Sequence, residues 1–147
     1  MATIEENIQT VLTFVNARNT EMIGLFSRIL DPDVVAYFLM PVEHGPIHGA
    51  RDLTLYLMRH EQLYAPVWRV DHIVGSGSEV VCEWSCAYRL SQNAGRMMYR
   101  GTSWYVMRDG RIAEVRTYSA YDVERERDFE LTGFPYAARG YLTNGPL

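Results

Sequence analysis

With 147 residues the chain has the length of one domain, and two separate cores would leave each half poorly buried. A hydrophobic fraction of 48% against 22% charged residues excludes a disordered or fibrous chain. The net charge of -4 and pI near 5.5 offer no basic surface to neutralise phosphates, so no nucleic-acid partner is expected.

Thr3 and Glu6 have the spacing of a capping box, in which hydroxyl and carboxylate satisfy each other's orphan backbone donors. Ile4, Ile8, Val11, Leu12 and Val15 then recur at helical spacing, predicting a first helix to about Ala17. Asn19 and Thr20 offer a second cap, and Met22, Ile23, Phe26, Ile29 and Leu30 predict a short second helix closed by Asp31 and Pro32. Val34 to Leu39 reads as a short strand, followed by a loop with two prolines and two glycines. A third helix is predicted from near Ala50 to before Pro66, with Leu53, Tyr56, Leu57 and His60 on one side.

From Val67 the pattern changes to strands separated by Gly75-Ser76-Gly77-Ser78, Ser91 to Gly95, and Asp109-Gly110. Connections this short predict an antiparallel meander of four long strands. Three helices on one face of a twisted sheet give an α+β architecture. The expectation is one domain over 1–147, with 122–147 a tail, partly helical, lying over a pocket or a partner. Cys82 and Cys86 are four apart on one extended strand, too far for a disulfide, and are expected to stay reduced as small core residues. The acidic N-terminus lacks a signal peptide's basic flank and apolar core, and no apolar run reaches membrane-spanning length. No membrane partner is expected, and the default location is cytoplasmic.

The order helix, helix, short strand, a loop ending GPIHG, helix, and a meander whose last hairpin is RDGRIAEVRTYSAYD resembles the nuclear transport factor two-like (SnoaL-like) superfamily. The resemblance covers about Thr3 to Asp122. It implies a cone-shaped, cystatin-like barrel: a curved antiparallel sheet wrapped around three helices, one sheet face lining a pocket. The other face is implied to pack against a second subunit, giving a homodimer or higher homo-oligomer, with Glu114 and Arg116 on that surface. Fold alone does not set the chemistry.

Alternation sorts the strand residues. Val80, Cys82, Trp84, Cys86 and Tyr88 form one face of their strand, and Tyr99, Gly101, Ser103 and Tyr105 one face of the next. On the first meander strand, VDHIVGS resembles the scytalone dehydratase strand that carries a catalytic histidine, and alternation puts Trp68, Val70, His72 and Val74 together. His72 is therefore the candidate base or acid, since an imidazole exchanges protons near neutrality. The acidic partner found near the end of the first helix in scytalone dehydratase and hexachlorocyclohexane dehydrochlorinase is replaced here by Asn16 and Asn19. The polar residues of ketosteroid isomerase would fall at Phe14, Phe38 and Ser103, and an acidic residue of limonene-epoxide hydrolase near Thr117, so neither specific activity is expected.

Ten tyrosines are the unusual resource, because a phenol can donate to a developing oxyanion while its ring packs on an aromatic ligand. Tyr37 and Tyr99 are the catalytic candidates, and Tyr56, Trp68, Trp84, Tyr88, Ser103, Tyr105 and His48 the expected substrate contacts. Glu43, His44 and His48 lie in a loop whose Gly45 and Pro46 prevent the helix that a His-x-x-x-His metal site needs. No metal, phosphate-loop or dinucleotide motif is visible, so no cofactor is expected. The expected function is a cofactor-independent lyase, dehydratase or isomerase acting on a small aromatic or polycyclic substrate, eliminating water or formaldehyde. The rival expectation is a non-catalytic protein or subunit that binds a small molecule in the same pocket.

Overall fold

A computed structural model describes residues 1–20, 22–39, 45–93, 95–119 and 130–143. Helix α1 (Ile4–Asn19) starts with the expected capping box: Thr3 Oγ1 accepts from the Glu6 amide while the Glu6 carboxylate accepts from the Thr3 amide. The second helix is shorter than its apolar spacing suggests, a 3-10 turn (Ile23–Leu25) leading into one turn of α-helix, α2 (Phe26–Ile29). Strand β1 (Leu30–Phe38) begins before Pro32 rather than after Asp31. Its pairing register shifts between Leu30 and Val35, and the irregularity accommodates a residue with no N–H to donate. β2 (Ile47–His48) precedes α3 (Ala50–Tyr64), which ends on a left-handed Ala65 before Pro66.

The meander follows as β3 (Val67–Ser76), β4 (Glu79–Tyr88), β5 (Met97–Arg108) and β6 (Arg111–Ser119). One six-stranded sheet in the order β2-β1-β6-β5-β4-β3 results, with β2 and β3 as unjoined edges. The expected all-antiparallel sheet is corrected at one place: β1 runs parallel to β6, so the sheet is mixed. The chain can reach that pairing because α3 and the meander lie between the two strands. Val11, Phe14, Phe26, Leu53 and Leu57 from the helices pack with Cys82, Trp84, Cys86, Tyr105 and Ile112 from the inner sheet face. Both cysteines are free and buried, as their spacing implies.

The parity of β3 is the largest departure from expectation. Val70 lies opposite Trp84 but His72 lies opposite Glu83 and Ile73 opposite Cys82, so Asp71 and His72 share one rung as a β-bulge. The extra residue reverses the alternation: Trp68, Val70 and Ile73 pack inward, while His72 and Val74 are exposed on the outer face. The pattern of alternate residues that grouped His72 with Trp68 therefore does not hold. Gly75 falls on the inner side, where Ile4 and Ile8 of α1 press so closely that an added Cβ would meet Ile4 Cγ2 at 2.9 Å.

Residues 130–143 lie against the outer face. The Arg100 guanidinium stacks on Tyr136, 3.9 Å from the ring centroid, and donates to Glu130 at 2.8 and 2.9 Å. Tyr141 donates to Glu83 at 3.1 Å, and Ser85, itself bonded by Arg100, donates to Asp71. The helix expected just after Asp122 lies outside the described residues. Among the described residues no helix is long and apolar enough to cross a membrane.

Candidate functional site

The inner sheet face and the helices enclose a cavity of about 250 Å³. Phe14, Val15 and Arg18 of α1 line it, with Leu53, Tyr56, Leu57, His60 and Tyr64 of α3. The sheet contributes Ala36 and Phe38 of β1, Trp68 of β3, Trp84 and Tyr88 of β4, Tyr99, Ser103 and Tyr105 of β5, and Val115, Thr117 and Ser119 of β6. The wall is aromatic and closely coupled. Trp68 meets Trp84 at 5.0 Å and Tyr99 at 5.9 Å between centroids, and Tyr99 meets Trp84 and Tyr88 at 5.2 and 5.3 Å, all edge-to-face. Gly101 makes this possible: a Cβ there would strike the Trp84 indole.

Of the expected site residues, Tyr56, Trp68, Trp84, Tyr88, Tyr99, Ser103 and Tyr105 line this one cavity. Three do not. His72 is turned outward by the bulge. Tyr37 is 42% exposed because the inward positions of β1 go to Val34, Ala36 and Phe38. His48 is exposed on the short strand β2, and Glu43 and His44 lie outside the described residues. Glu114 and Arg116 form an ion pair with each other, and Arg116 sits over Trp104.

Two polar residues in the wall escaped the sequence reading. Arg18, at the end of α1, lies 3.9 Å above the Trp68 ring, and its Nε and Nη2 contact Glu61 Oε1 at 2.7 and 2.6 Å. The pair is largely withdrawn from water, with side-chain exposures of 12% and 9%. Asn19 beside it holds the Trp68 backbone with two bonds, Nδ2 to O at 2.6 Å and Oδ1 from N at 2.7 Å. Trp68 Nε1 also donates to Glu61 at 3.3 Å. Consecutive residues of one helix end thus place both the guanidinium and the indole beneath it.

His60 is the second. Burial, and then the positive charge of Arg18, push its pKa from 6.5 down to about 4, so the ring is neutral at physiological pH. Its Nδ1 is buried without a hydrogen-bond partner among the described residues, leaving Nε2 as the nitrogen available to a ligand. The signal for it was present in the sequence, on the apolar side of α3 beside Tyr56 and Leu57. Burial also drives the phenols of Tyr99 and Tyr105 well above the usual tyrosine range, and that of Tyr56 upward, so they remain donors. At the β5–β6 wall, Trp84 Nε1 donates to Ser103 Oγ at 2.9 Å, and Ser103 and Thr117 share a hydroxyl contact at 3.2 Å. No Asp or Glu lines the cavity among the described residues. Nor do those residues hold a cluster of three His, Cys, Asp or Glu suited to a metal ion.

A family profile described as a SnoaL-like domain matches residues 9–115, the stretch that builds the helices and nearly all of the sheet around this cavity. The chain belongs to the SnoaL-like domain family. Solved structures share the fold of this SnoaL-like chain at low identity. An LEH-like epoxide hydrolase from M. tuberculosis is 23% identical, with 84% of this chain and 90% of that one covered at a TM-score of 0.72. A protein of unknown function with a cystatin-like fold from Methylobium petroleophilum PM1 is 19% identical over 99% and 96% of the two chains, TM-score 0.69. A proposed isomerase from Bacillus subtilis is 18% identical over 82% and 90%, TM-score 0.71. A search of the curated proteins returns no match.

Proposed function

We propose that this SnoaL-like protein is a cofactor-independent lyase, dehydratase or isomerase that works on a small aromatic or polycyclic molecule by acid-base chemistry. The observation that carries it is a neutral imidazole and a guanidinium set into one aromatic cavity. His60 takes the place first expected for His72. With its proton on Nδ1, the ring presents a lone pair at Nε2 that can accept a proton from substrate. The resulting imidazolium, disfavoured by burial and by Arg18, is a strong acid and returns that proton to a departing hydroxyl or to a second carbon. Arg18 and the Tyr99 and Tyr56 phenols are the donors for an oxygen that gains charge on the way.

A lysine imine is not part of the chemistry at hand. All 14 of the Lys+Arg residues are arginine, so no lysine amine exists to form an imine with a carbonyl substrate. The structural neighbours described as an epoxide hydrolase and a proposed isomerase support small-molecule conversion on this fold. Loss of water or formaldehyde from a hydroxylated aromatic suits a shuttle of this kind. A homodimer through the outer face remains part of the proposal. It would use the bare area around Tyr37, Trp104 and Tyr118, since residues 130–143 occupy the β3–β5 side.

The test is a screen of hydroxylated aromatics followed by the ultraviolet change on conjugation. His60→Phe should lower turnover of the compound found by a factor of about 10² to 10⁴, the usual worth of a positioned acid-base group. Equal turnover in that variant would end the proposal. The rival reading, a binding protein, draws on the absence, among the described residues, of a hydrogen bond to His60 Nδ1. It predicts ligand binding by the native protein without chemical change.

A further inference from the structure

Two sets among the polar groups of the cavity differ in hydrogen-bonding character. We infer that the ligand is an uncharged hydroxyaryl compound: Arg18 holds an acceptor oxygen of it, and the Ser103–Thr117 pair holds its hydroxyl. This rests on the assignment of the cavity as the functional site and adds the class of molecule that it takes.

The first set only donates. Arg18 commits Nε and Nη2 to Glu61, which leaves Nη1 as the guanidinium nitrogen with no partner among the described residues, on a side chain that lines the cavity. A guanidinium has no acceptor, so its ligand atom must be an acceptor. Its charge is already matched by Glu61, and among the described residues no other arginine and no carboxylate lines the wall. A carboxylate or phosphate at Nη1 would set a second anion against one cation and leave a net negative charge in the dry cavity, so an uncharged acceptor such as a carbonyl or hydroxyl oxygen fits and an anion does not.

The second set can donate or accept. Ser103 Oγ receives the Trp84 Nε1–H bond and shares one proton with Thr117 Oγ1. If Ser103 donates to Thr117, the Thr117 proton is left for the cavity. If Thr117 donates to Ser103, its lone pairs are left instead. A ligand hydroxyl satisfies either arrangement by turning its own proton, which a carbonyl or an ammonium cannot do.

The register separates the two sets. Trp68, under Arg18, lies opposite Cys86, which lies opposite Tyr99. Ser103 is four residues further along β5, roughly 13 Å of strand at about 3.3 Å per residue. The rings of Trp84 and Tyr99 wall the interval, with no hydrogen-bonding demand beyond the phenol, and this is where the aryl body packs.

Binding is to be measured by quenching of tryptophan emission and by calorimetry with three probes on one scaffold. 4-Hydroxybenzophenone carries both oxygens, benzophenone lacks the hydroxyl, and 4-benzoylbenzoate puts a carboxylate in its place. On the native protein the hydroxy compound should bind about tenfold tighter than benzophenone, the scale of one hydrogen bond, and the carboxylate at least tenfold weaker than the hydroxy compound. Thr117→Val keeps the side-chain shape and should bring the hydroxy compound down to benzophenone. Should that variant fail to fold, as judged by its thermal unfolding, the three-probe comparison on the native chain decides alone. The inference is overturned if the carboxylate binds as tightly as the hydroxy compound, if the hydroxyl makes no difference, or if no probe binds. Discrimination as stated with no turnover of any hydroxylated aromatic would sustain it and remove the catalytic reading. Turnover without discrimination would do the reverse.

Discussion

The two faces of the sheet handle charge in opposite ways. On the inner face one cation, Arg18, is matched by one carboxylate, Glu61, behind an aromatic wall, and the remaining polar groups are neutral. On the outer face Asp71 and Arg100 are themselves covered, with 1% and 9% side-chain exposure, but their charge partners Arg69 and Glu130 stay in water at 53% and 40%. A charge in a dry cavity acts strongly on its neighbours, which is why Arg18 reaches the titration of His60, Tyr56, Tyr99 and Tyr105. The lesson is that where a side chain points matters more for its chemistry than what type it is: His60 and His72 are the same residue in two solvents.

Removing the inner cation should have the largest effect. Arg18→Ala leaves Glu61 buried and unpaired and should cost about 3 to 5 kcal/mol in denaturant unfolding. Arg100→Ala, whose partner Glu130 is 40% exposed in its side chain, should cost less, and equal losses would show that the two faces do not differ as described.

Next in size is the pH response of His60. Its folded pKa of about 4 lies below the ordinary imidazole value of 6.5, so between those values the unfolded chain binds the extra proton. Stability from this group is therefore complete above pH 6.5 and falls as the pH drops toward 4, by at most about 3 kcal/mol. His60→Phe should flatten that part of the stability profile. An unchanged slope would mean that the ring is not held neutral.

A smaller effect tests the packing. Gly101→Ala drives a methyl group into the Trp84 indole and should cost about 1 to 3 kcal/mol, with a change in near-ultraviolet dichroism from the displaced indole. The smallest effect belongs to the outer histidine. His72→Ala should alter stability by no more than about 0.5 kcal/mol and leave turnover of any substrate unchanged. A lost activity in that variant would return the imidazole of β3 to the mechanism.

Local chemistry was legible in the sequence wherever the periodicity ran undisturbed. The capping box at Thr3 and Glu6 and the inward set Cys82, Trp84, Cys86 and Tyr88 needed only the regular helix and strand periods. Two kinds of information were hidden. The bulge at Asp71 and His72 carries no Gly or Pro to mark it, yet one extra residue reverses the faces of the rest of the strand. On β1, Val34 to Phe38 is apolar at almost every position, so the sequence could not say whether Tyr37 or Phe38 faces inward; Phe38 does. The second kind is partnership. Arg18 and Glu61 lie 43 residues apart, and only tertiary packing, with the end of α1 clamped to Trp68 just past the end of α3, brings them together.

The Asn19 clamp has a consequence beyond orienting an indole. β3 is the last strand of the sheet, so the backbone N–H and C=O of Trp68 face outward at a rim where another chain could pair. The side-chain amide of Asn19 meets both groups as a neighbouring strand's peptide would. It is a surrogate rung that completes the ladder at that point and closes it to edge-to-edge aggregation.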